Sequence, residues 1–217
     1  MNSAPLILIC FAVAQEAQYF RLKTAGQAEL RKLITGMGKK NAEASLRAEL
    51  AVTHPRLVLS AGFAGGLRPG LHSGTVLFDR CELTPLAREL IAAGAQPGRF
   101  VCCDTVCTTA LEKKELRERT GADAVEMESE ALGGLCREEQ IPCATVRVIL
   151  DTAEEDLPLD FNQLMTPDLR LDPRKLTAAL VRAPGRIPSL LKLQKRSSAA
   201  ARSLAQVLQS ALSGLKV

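Results

Sequence analysis

Residues 123–132 read DAVEMESEAL, and the stretch changes character in the middle. Residues 122–126 form a short apolar run of the kind that makes a buried strand, whereas 127–139 are rich in helix formers. At the joint two glutamates, Glu126 and Glu128, flank Met127. A strand running into a helix is the unit from which α/β sheets are built, and ligands of such sheets gather at the carboxyl ends of the strands. The stretch therefore sets two expectations, one for the fold and one for the position of a site.

The same alternation continues on both sides. Further strands are expected at 6–14, 32–35, 57–60, 74–78, 100–103 and 144–150, and helices near 39–52, 85–93 and 110–119. Continuous apolar strands alternating with helices predict a sheet covered on both faces. The expected fold is a three-layer α/β/α domain with a central mixed sheet and a helical C-terminal tail, broken at Pro184-Gly185 and Pro188. The whole of 1–217 is expected to be one domain, with 172–217 as its basic helical appendage.

Composition narrows the function classes. The chain is 47% hydrophobic and 24% charged, as in ordinary globular proteins. Aromatic residues make up only 3% and tryptophan is absent, which argues against a single-strand nucleic-acid binder that stacks bases. The seven cysteines show no paired C-x-x-C spacing, and His54 and His72 lie near no cysteine cluster, so neither a metal nor a cofactor is expected. Cys102, Cys103 and Cys107 read as small side chains in a reducing compartment. The apolar run PLILICFAVA is too short to span a bilayer, has no basic residue before it and reads as a buried strand, so a cytoplasmic protein is expected.

The ends of the strands hold the polar residues. Gln15 and Glu16 follow the first, TGMGKKNAE the second, AGFAGGL the third, the glutamate pair the run at 122–126, and Asp151 the strand ATVRVIL. Gly36, Gly38, Gly62, Gly65 and Gly66 read either as tight turns or as places where backbone N–H groups approach a ligand. GMGKKN lacks the third glycine of a dinucleotide fingerprint. Glu126 and Glu128 read either as first-turn acids, which helix N-termini favour, or as carboxylates for a vicinal diol, with Met127 as an apolar face. Asp151 reads either as a helix cap or as a buried carboxyl suited to general-acid work, with Arg147 four residues before it.

The ordered set AVAQE, TGMGKKNA, AGFAGGL, VEMESEAL and VRVILD resembles the purine/uridine phosphorylase superfamily, over about 135 residues. It looks closest to the methylthioadenosine/S-adenosylhomocysteine nucleosidase branch. The tail segment LMTPDLRLDPRKLTAALVRAPGRIPSLLKLQKRS further resembles the hopanoid-associated phosphorylase-like subgroup, which is implicated in removing adenine from adenosylhopane. By this resemblance Glu128 holds the ribose hydroxyls, Met127 packs on the sugar and Glu126 lines the same pocket. Asp151 matches the acid that protonates the purine at N7, Glu16 the glutamate that positions or activates water, and Arg147 the arginine beside it. Gly65, Phe63, Ala64, Val106 and Asp104 complete the expected substrate-binding set.

Three departures shape the reaction expected. Ser60 and Phe63 stand where phosphorylases carry an arginine and a serine for phosphate, which favours hydrolysis over phosphorolysis, the alternative in which inorganic phosphate is co-substrate. Phe63 also replaces a serine that nucleosidases use near the water. Val106 stands at the base-stacking phenylalanine, in the divergent segment CCDTVCT that keeps Asp104. The connections from Glu16 to Gly36 and from Phe78 to Pro85 are short, and a trimmed lid leaves the ribose 5′ side open to a bulky substituent.

Residues 171–217 carry nine Lys/Arg against one acid, in a chain of formal net charge +4. Leu190, Leu191, Leu193, Ala201, Leu204, Val207, Leu208 and Leu212 recur at mostly helical spacing among Lys192, Lys195, Arg196 and Arg202. That pattern reads either as a terminal helix with a solvated basic face or as a peripheral contact with anionic lipid. The expected function is cleavage of the N-glycosidic bond of a purine (adenine) nucleoside modified at its 5′ position. The alternatives are phosphorolysis or an inactive nucleoside-binding module. The expected partners are a small-molecule nucleoside, lipid-linked or not, and further copies of the chain in a homodimer or higher homo-oligomer.

Overall fold

The first strand decides the layering, because it is buried on both faces from Ile7 to Phe11. Successive side chains of a strand point to opposite faces. Ile7, Ile9 and Phe11 accordingly join one core with Leu59, Val146 and Val148, whereas Leu8 and Cys10 join a second with Ala42, Leu46 and Leu132. Two cores on either side of one sheet make three layers.

The computed structural model describes residues 4–21, 23–79 and 84–215. In chain order its elements are β1 (Leu6–Phe11), α1 (Ala14–Ala17), β2 (Thr24–Ala25), β3 (Ala28–Ile34), α2 (Lys39–Leu50) and β4 (Leu57–Gly66). Then come β5 (Val76–Phe78), α3 (Thr84–Ala92), β6 (Gln96–Pro97), β7 (Phe100–Cys102), α4 (Ala110–Thr120) and β8 (Ala124–Glu126). The chain ends with α5 (Ser129–Glu138), β9 (Cys143–Asp151), α6 (Phe161–Leu164), α7 (Pro173–Arg182), a 3₁₀ turn (Pro184–Arg186) and α8 (Ile187–Gly214). The short connection expected between Phe78 and Pro85 falls partly on 80–83, outside the described residues.

The sheet runs β2-β3-β1-β4-β9-β5-β6, with β7 and β8 attached through β4. It is mixed, as expected: β1, β3, β4 and β9 are parallel neighbours, while β5 is antiparallel to β9. Helices α2 and α5 pack together on one face, and α1, α3 and α8 cover the other. The inner face of α8 is Ala200, Leu204, Leu208, Ala211 and Leu212, all buried at helical spacing.

Strand β4 positions the site. Leu57 to Ser60 pair with β1, and Gly65 and Gly66 pair with β8 on the same edge, while β9 lies along the other edge throughout. Residues 61–64 therefore have no strand beside them on one side. The sequence predicts a small-residue turn after Ser60; instead the strand continues to Gly66, and its glycines let neighbouring side chains close in.

Other boundaries shift for local reasons. β1 stops at Phe11 because Ala14 opens α1, and the Val13 N–H accepts no further strand role once it donates to Glu16 Oε2 at 3.1 Å. β3 begins at Ala28, four residues before the expected start, as it pairs with both β1 and β2. Pro188 lies in the first turn of α8, where a missing N–H costs nothing, so it starts that helix and does not break it.

Candidate active site

Arg147 is the hub of the site. It is fully buried in β9, and an unpaired buried guanidinium is costly, so the chain gathers oxygens at its Nη2, although its Nε has no hydrogen-bond partner among the described residues. Its Nη2 donates to Glu126 Oε2 at 2.6 Å and to Ser60 Oγ at 2.9 Å, and stands 3.3 Å from Glu128 Oε2. Residues 123–132 thus place both of their glutamates against one cation.

The two glutamates do different work. Glu126 is saturated: Oε2 also accepts from the N–H groups of Glu128 (3.0 Å) and Ser129 (2.7 Å), and Oε1 from the Ser129 hydroxyl (2.6 Å). Burial pushes its pKa up, but Arg147 and these donors outweigh it and hold the carboxyl below its ordinary value. Glu126 lines the cavity, yet its oxygens serve Arg147 and the first turn of α5. Glu128 keeps capacity to spare, accepting from the Gly38 N–H at 2.8 Å while its other oxygen faces Arg147. Burial raises its pKa, Arg147 opposes this and Glu126 reinforces it. A carboxylate with free lone pairs beside a cavity is suited to a diol.

Glu16 fills the gap in β4. Its Oε1 accepts from the Phe63 N–H at 2.7 Å, a group on the segment that lacks a neighbouring strand. Gly62 makes this approach feasible, since a Cβ there would lie 2.5 Å from Glu16 Oε1 and 2.6 Å from Arg147 Nη1. Burial raises the Glu16 pKa to about 7, with Arg147 opposing the rise and Glu128 adding to it. Such a group takes up a proton near neutrality.

Asp151 ends β9 and is buried, with its carboxyl 3.5 Å from where a Cβ of Gly65 would stand. Burial raises its pKa, and Lys113 opposes the rise. Lys113 is itself fully buried, and its Nζ lies 2.5 Å from Asp151 Oδ2. That approach lies outside hydrogen-bond geometry, so the contact is an ion pair. Sequence reasoning missed Lys113, because ALEKKELRERT looks like a solvated helix.

One cavity of about 870 Å³ is lined by the four carboxylates, while Arg147 and Lys113, which pair with them, are not part of its wall. Glu16, Phe63, Ala64, Gly65, Met127 and Glu128 line it together with Asp151 and Val106. Asp104 lies outside this lining: its side chain is 82% exposed and pairs with Lys39 at 3.3 Å. Sequence reasoning also missed the far wall, formed by Leu157, Phe161 and Met165 and then by Leu176, Leu180 and Leu190 of the tail. Phe161 is tied to the expected base segment through its neighbour Asn162. The Asn162 side chain accepts from the Val106 N–H and donates to the Val106 carbonyl, both at 2.9 Å. Among the described residues no group of three or more His, Cys, Asp or Glu is placed to hold a metal ion.

Comparison with known proteins bears on the fold and the family resemblance. Residues 82–182 match the family model of the Phosphorylase superfamily. The 5'-methylthioadenosine/S-adenosylhomocysteine nucleosidase of Glaesserella parasuis is 23% identical over 166 residues, which span 61% of this chain and 72% of the relative. The enzyme of the same name from Haemophilus ducreyi is 25% identical over the same shares. Among solved structures, futalosine hydrolase of Helicobacter pylori superposes with a TM-score of 0.72 at 15% identity, covering 99% of this chain and 100% of that one. The 5'-methylthioadenosine/S-adenosylhomocysteine nucleosidase of Helicobacter pylori, bound to butyl-thio-DADMe-Immucillin-A, gives 0.71 at 16%, covering 97% and 99%. The match to the Phosphorylase superfamily model spans a little under half of the chain, and the overall fold is shared with the solved nucleosidase and hydrolase structures.

Proposed function

We propose that this chain hydrolyses the N-glycosidic bond of an adenine nucleoside whose 5′ position carries a bulky apolar group. In this reading Glu128 accepts the ribose hydroxyls and Met127 packs on the sugar, while Val106 and Phe161 flank the base. Asp151 gives its proton to the base as the C1′–N9 bond breaks and the bonding electrons leave with the base. Glu16 takes a proton from the water that attacks C1′. A positioned acid or base of this kind contributes roughly 10²- to 10⁴-fold each.

The observation that carries hydrolysis is the fate of the glycine-turn N–H groups. Phosphorolysis would need them to bind an anion. Here the Gly38 and Phe63 N–H groups donate to Glu128 and Glu16, and those of Glu128 and Ser129 donate to Glu126. Protein carboxylates already occupy the donors, and they repel phosphate. The relatives that by name are methylthioadenosine/S-adenosylhomocysteine nucleosidases add support for an adenine nucleoside altered at the 5′ position. A module that only binds would have no need of the buried acid and the buried base together.

The apolar group at the 5′ position rests on the far wall of the cavity. The tail helices line that extension without filling it, and the cavity stays open to solvent. Around it Val181, Ile187 and Leu191 are exposed apolar residues among the exposed bases Arg182, Arg186 and Lys192. This pairing favours a peripheral contact with anionic lipid, from which a lipid-linked nucleoside would be drawn. No described helix is long and apolar enough to cross a membrane.

The test is product analysis with an adenine nucleoside bearing a hydrophobic 5′ group, with and without inorganic phosphate. Free adenine and a free reducing ribose, indifferent to phosphate, are expected. Adenine appearing only with phosphate, beside a ribose 1-phosphate, would overturn hydrolysis; no adenine in either case would overturn the enzyme reading.

A further inference from the structure

Lys113 has no place in the chemistry described so far, yet it is among the most completely buried side chains of the molecule. It comes from α4, a helix whose other lysine and arginine side chains are at least partly exposed, while Leu111 of the same helix is 65% exposed. The helix buries Leu116 in a small apolar cluster and, one turn before it, Lys113, so polar contacts share with packing in setting its orientation. The ammonium has three protons and three oxygens around it. Nζ donates to the carbonyls of Thr152 (2.8 Å) and Glu155 (2.7 Å) and lies 2.5 Å from Asp151 Oδ2. The first two contacts fix the turn that follows β9, and the third sets a full positive charge against the carboxyl that reaches the cavity past Gly65.

We propose that Lys113 is the positioning residue of the general acid: it aims the Asp151 carboxyl at the leaving base and stabilises the carboxylate left after proton transfer. The inference rests on the nucleosidase reading above. The balance is simple. The proton passes from the Asp151 carboxyl to N7 of the base, the C1′–N9 electrons go to the base, and a water proton goes to Glu16 as its oxygen bonds to C1′. The negative charge that appears on Asp151 is the one Lys113 faces. The other charged groups near that carboxyl are Glu155 and Arg196, which form their own ion pair at 2.6 Å from the loop and from α8. They oppose each other at Asp151, so Lys113 is the cation in direct contact.

Two substrates separate this role from a structural one. An adenine nucleoside needs a protonated leaving group, whereas 4-nitrophenyl β-D-ribofuranoside has one that departs unaided. For Lys113→Met, kcat on the adenine nucleoside is expected to fall about 10- to 100-fold with KM changed less than about threefold, a share of general-acid catalysis. Cleavage of the nitrophenyl riboside is expected to stay within about threefold of wild type by the same argument. Removing the cation also lets Asp151 hold its proton to higher pH, so the alkaline limb of kcat/KM moves upward although the plateau falls. Lys113→Arg, which keeps the charge, is expected to restore part of the adenine-nucleoside rate, and its substrate ratio serves if the methionine variant does not fold. Equal losses on both substrates with an unmoved alkaline limb, or no loss on the adenine nucleoside, would overturn the proposal. Wild-type enzyme that cleaves the nitrophenyl riboside but no purine nucleoside would instead overturn the proposed substrate.

Discussion

Arg147 and Glu126 form a fully buried ion pair, with Nη2 2.6 Å from Oε2, and the rest of the site is arranged around it. Breaking such a pair by removing one partner leaves an uncompensated buried charge, at a cost of about 3–5 kcal/mol. Glu126→Ala is therefore expected to lose roughly that much stability, with activity lost as Arg147 swings toward Glu128 and Glu16. Urea unfolding with tryptophan-free detection by circular dichroism measures it. A loss under about 1 kcal/mol, the value of an exposed pair, would show that the pair is not shielded from water.

Gly62 separates Glu16 from Arg147 by the width of a missing side chain. A Cβ there would stand 2.5 Å from one and 2.6 Å from the other, so Gly62→Ala displaces both. Misplacing a catalytic group by about 1 Å costs about 10²-fold, and kcat is expected to fall by that order. Steady-state kinetics that match wild type would mean the two groups relax without consequence.

The pH dependence follows from Glu16. Its pKa is raised by burial from 4.5 to about 7, and water activation needs the carboxylate, so kcat/KM is expected to fall below pH about 7. The fall is about tenfold per pH unit for a single essential base. Stability runs the other way. A carboxyl whose folded-state pKa is raised favours the native state fully below its ordinary 4.5, and that contribution is lost as pH rises through about 7. Glu16→Gln is expected to remove both the acid limb, together with the activity, and this part of the stability profile. An unchanged stability profile in that variant would assign the titration elsewhere.

The tail wall of the cavity predicts a graded response to the 5′ substituent. Each buried methylene is worth about 0.8 kcal/mol, so KM is expected to fall at most about fourfold per methylene along an alkyl series. Leu180→Asp, on that wall, is expected to abolish the gradient while a short-chain substrate is still cleaved. A gradient that survives the substitution would place the substituent somewhere else.

Anionic vesicles offer the last test. Each basic residue near the surface contributes about 1 kcal/mol, and reversing Arg182, Arg186 and Lys192 together is expected to release the chain from them. Flotation that does not differ between variant and wild type would dispose of the lipid contact.

Much of this was legible in the sequence because the site is built from short segments at strand ends. VEMESEAL, AGFAGGL and the Asp151 strand each bring their residues to the cavity within a few positions of a strand terminus. Phe63 and Val106, the departures from the family pattern, also line it. What stayed hidden depends on tertiary packing. Nothing in ALEKKELRERT distinguishes Lys113 from its charged neighbours, since its partners come from a loop 39 to 42 residues away. The spacing of the tail leucines gives a helix but not the groove it faces. The Asn162 clamp on Val106 spans 56 residues and follows no periodicity. Asp104, kept in sequence, pairs with Lys39 outside the cavity, because the turn carrying it points to solvent.

The break in the edge of β4 has a consequence for how this protein can change. Between Ser60 and Gly65 the strand trades one neighbour for another, and Glu16 supplies the hydrogen bond that a strand would have made at Phe63. The proposed base is thus also a piece of the sheet. Replacing it with a side chain that accepts no hydrogen bond would leave the Phe63 amide without its partner as well as removing the proposed base, so only a substitution that keeps an acceptor, such as Glu16→Gln, separates the chemistry from the sheet.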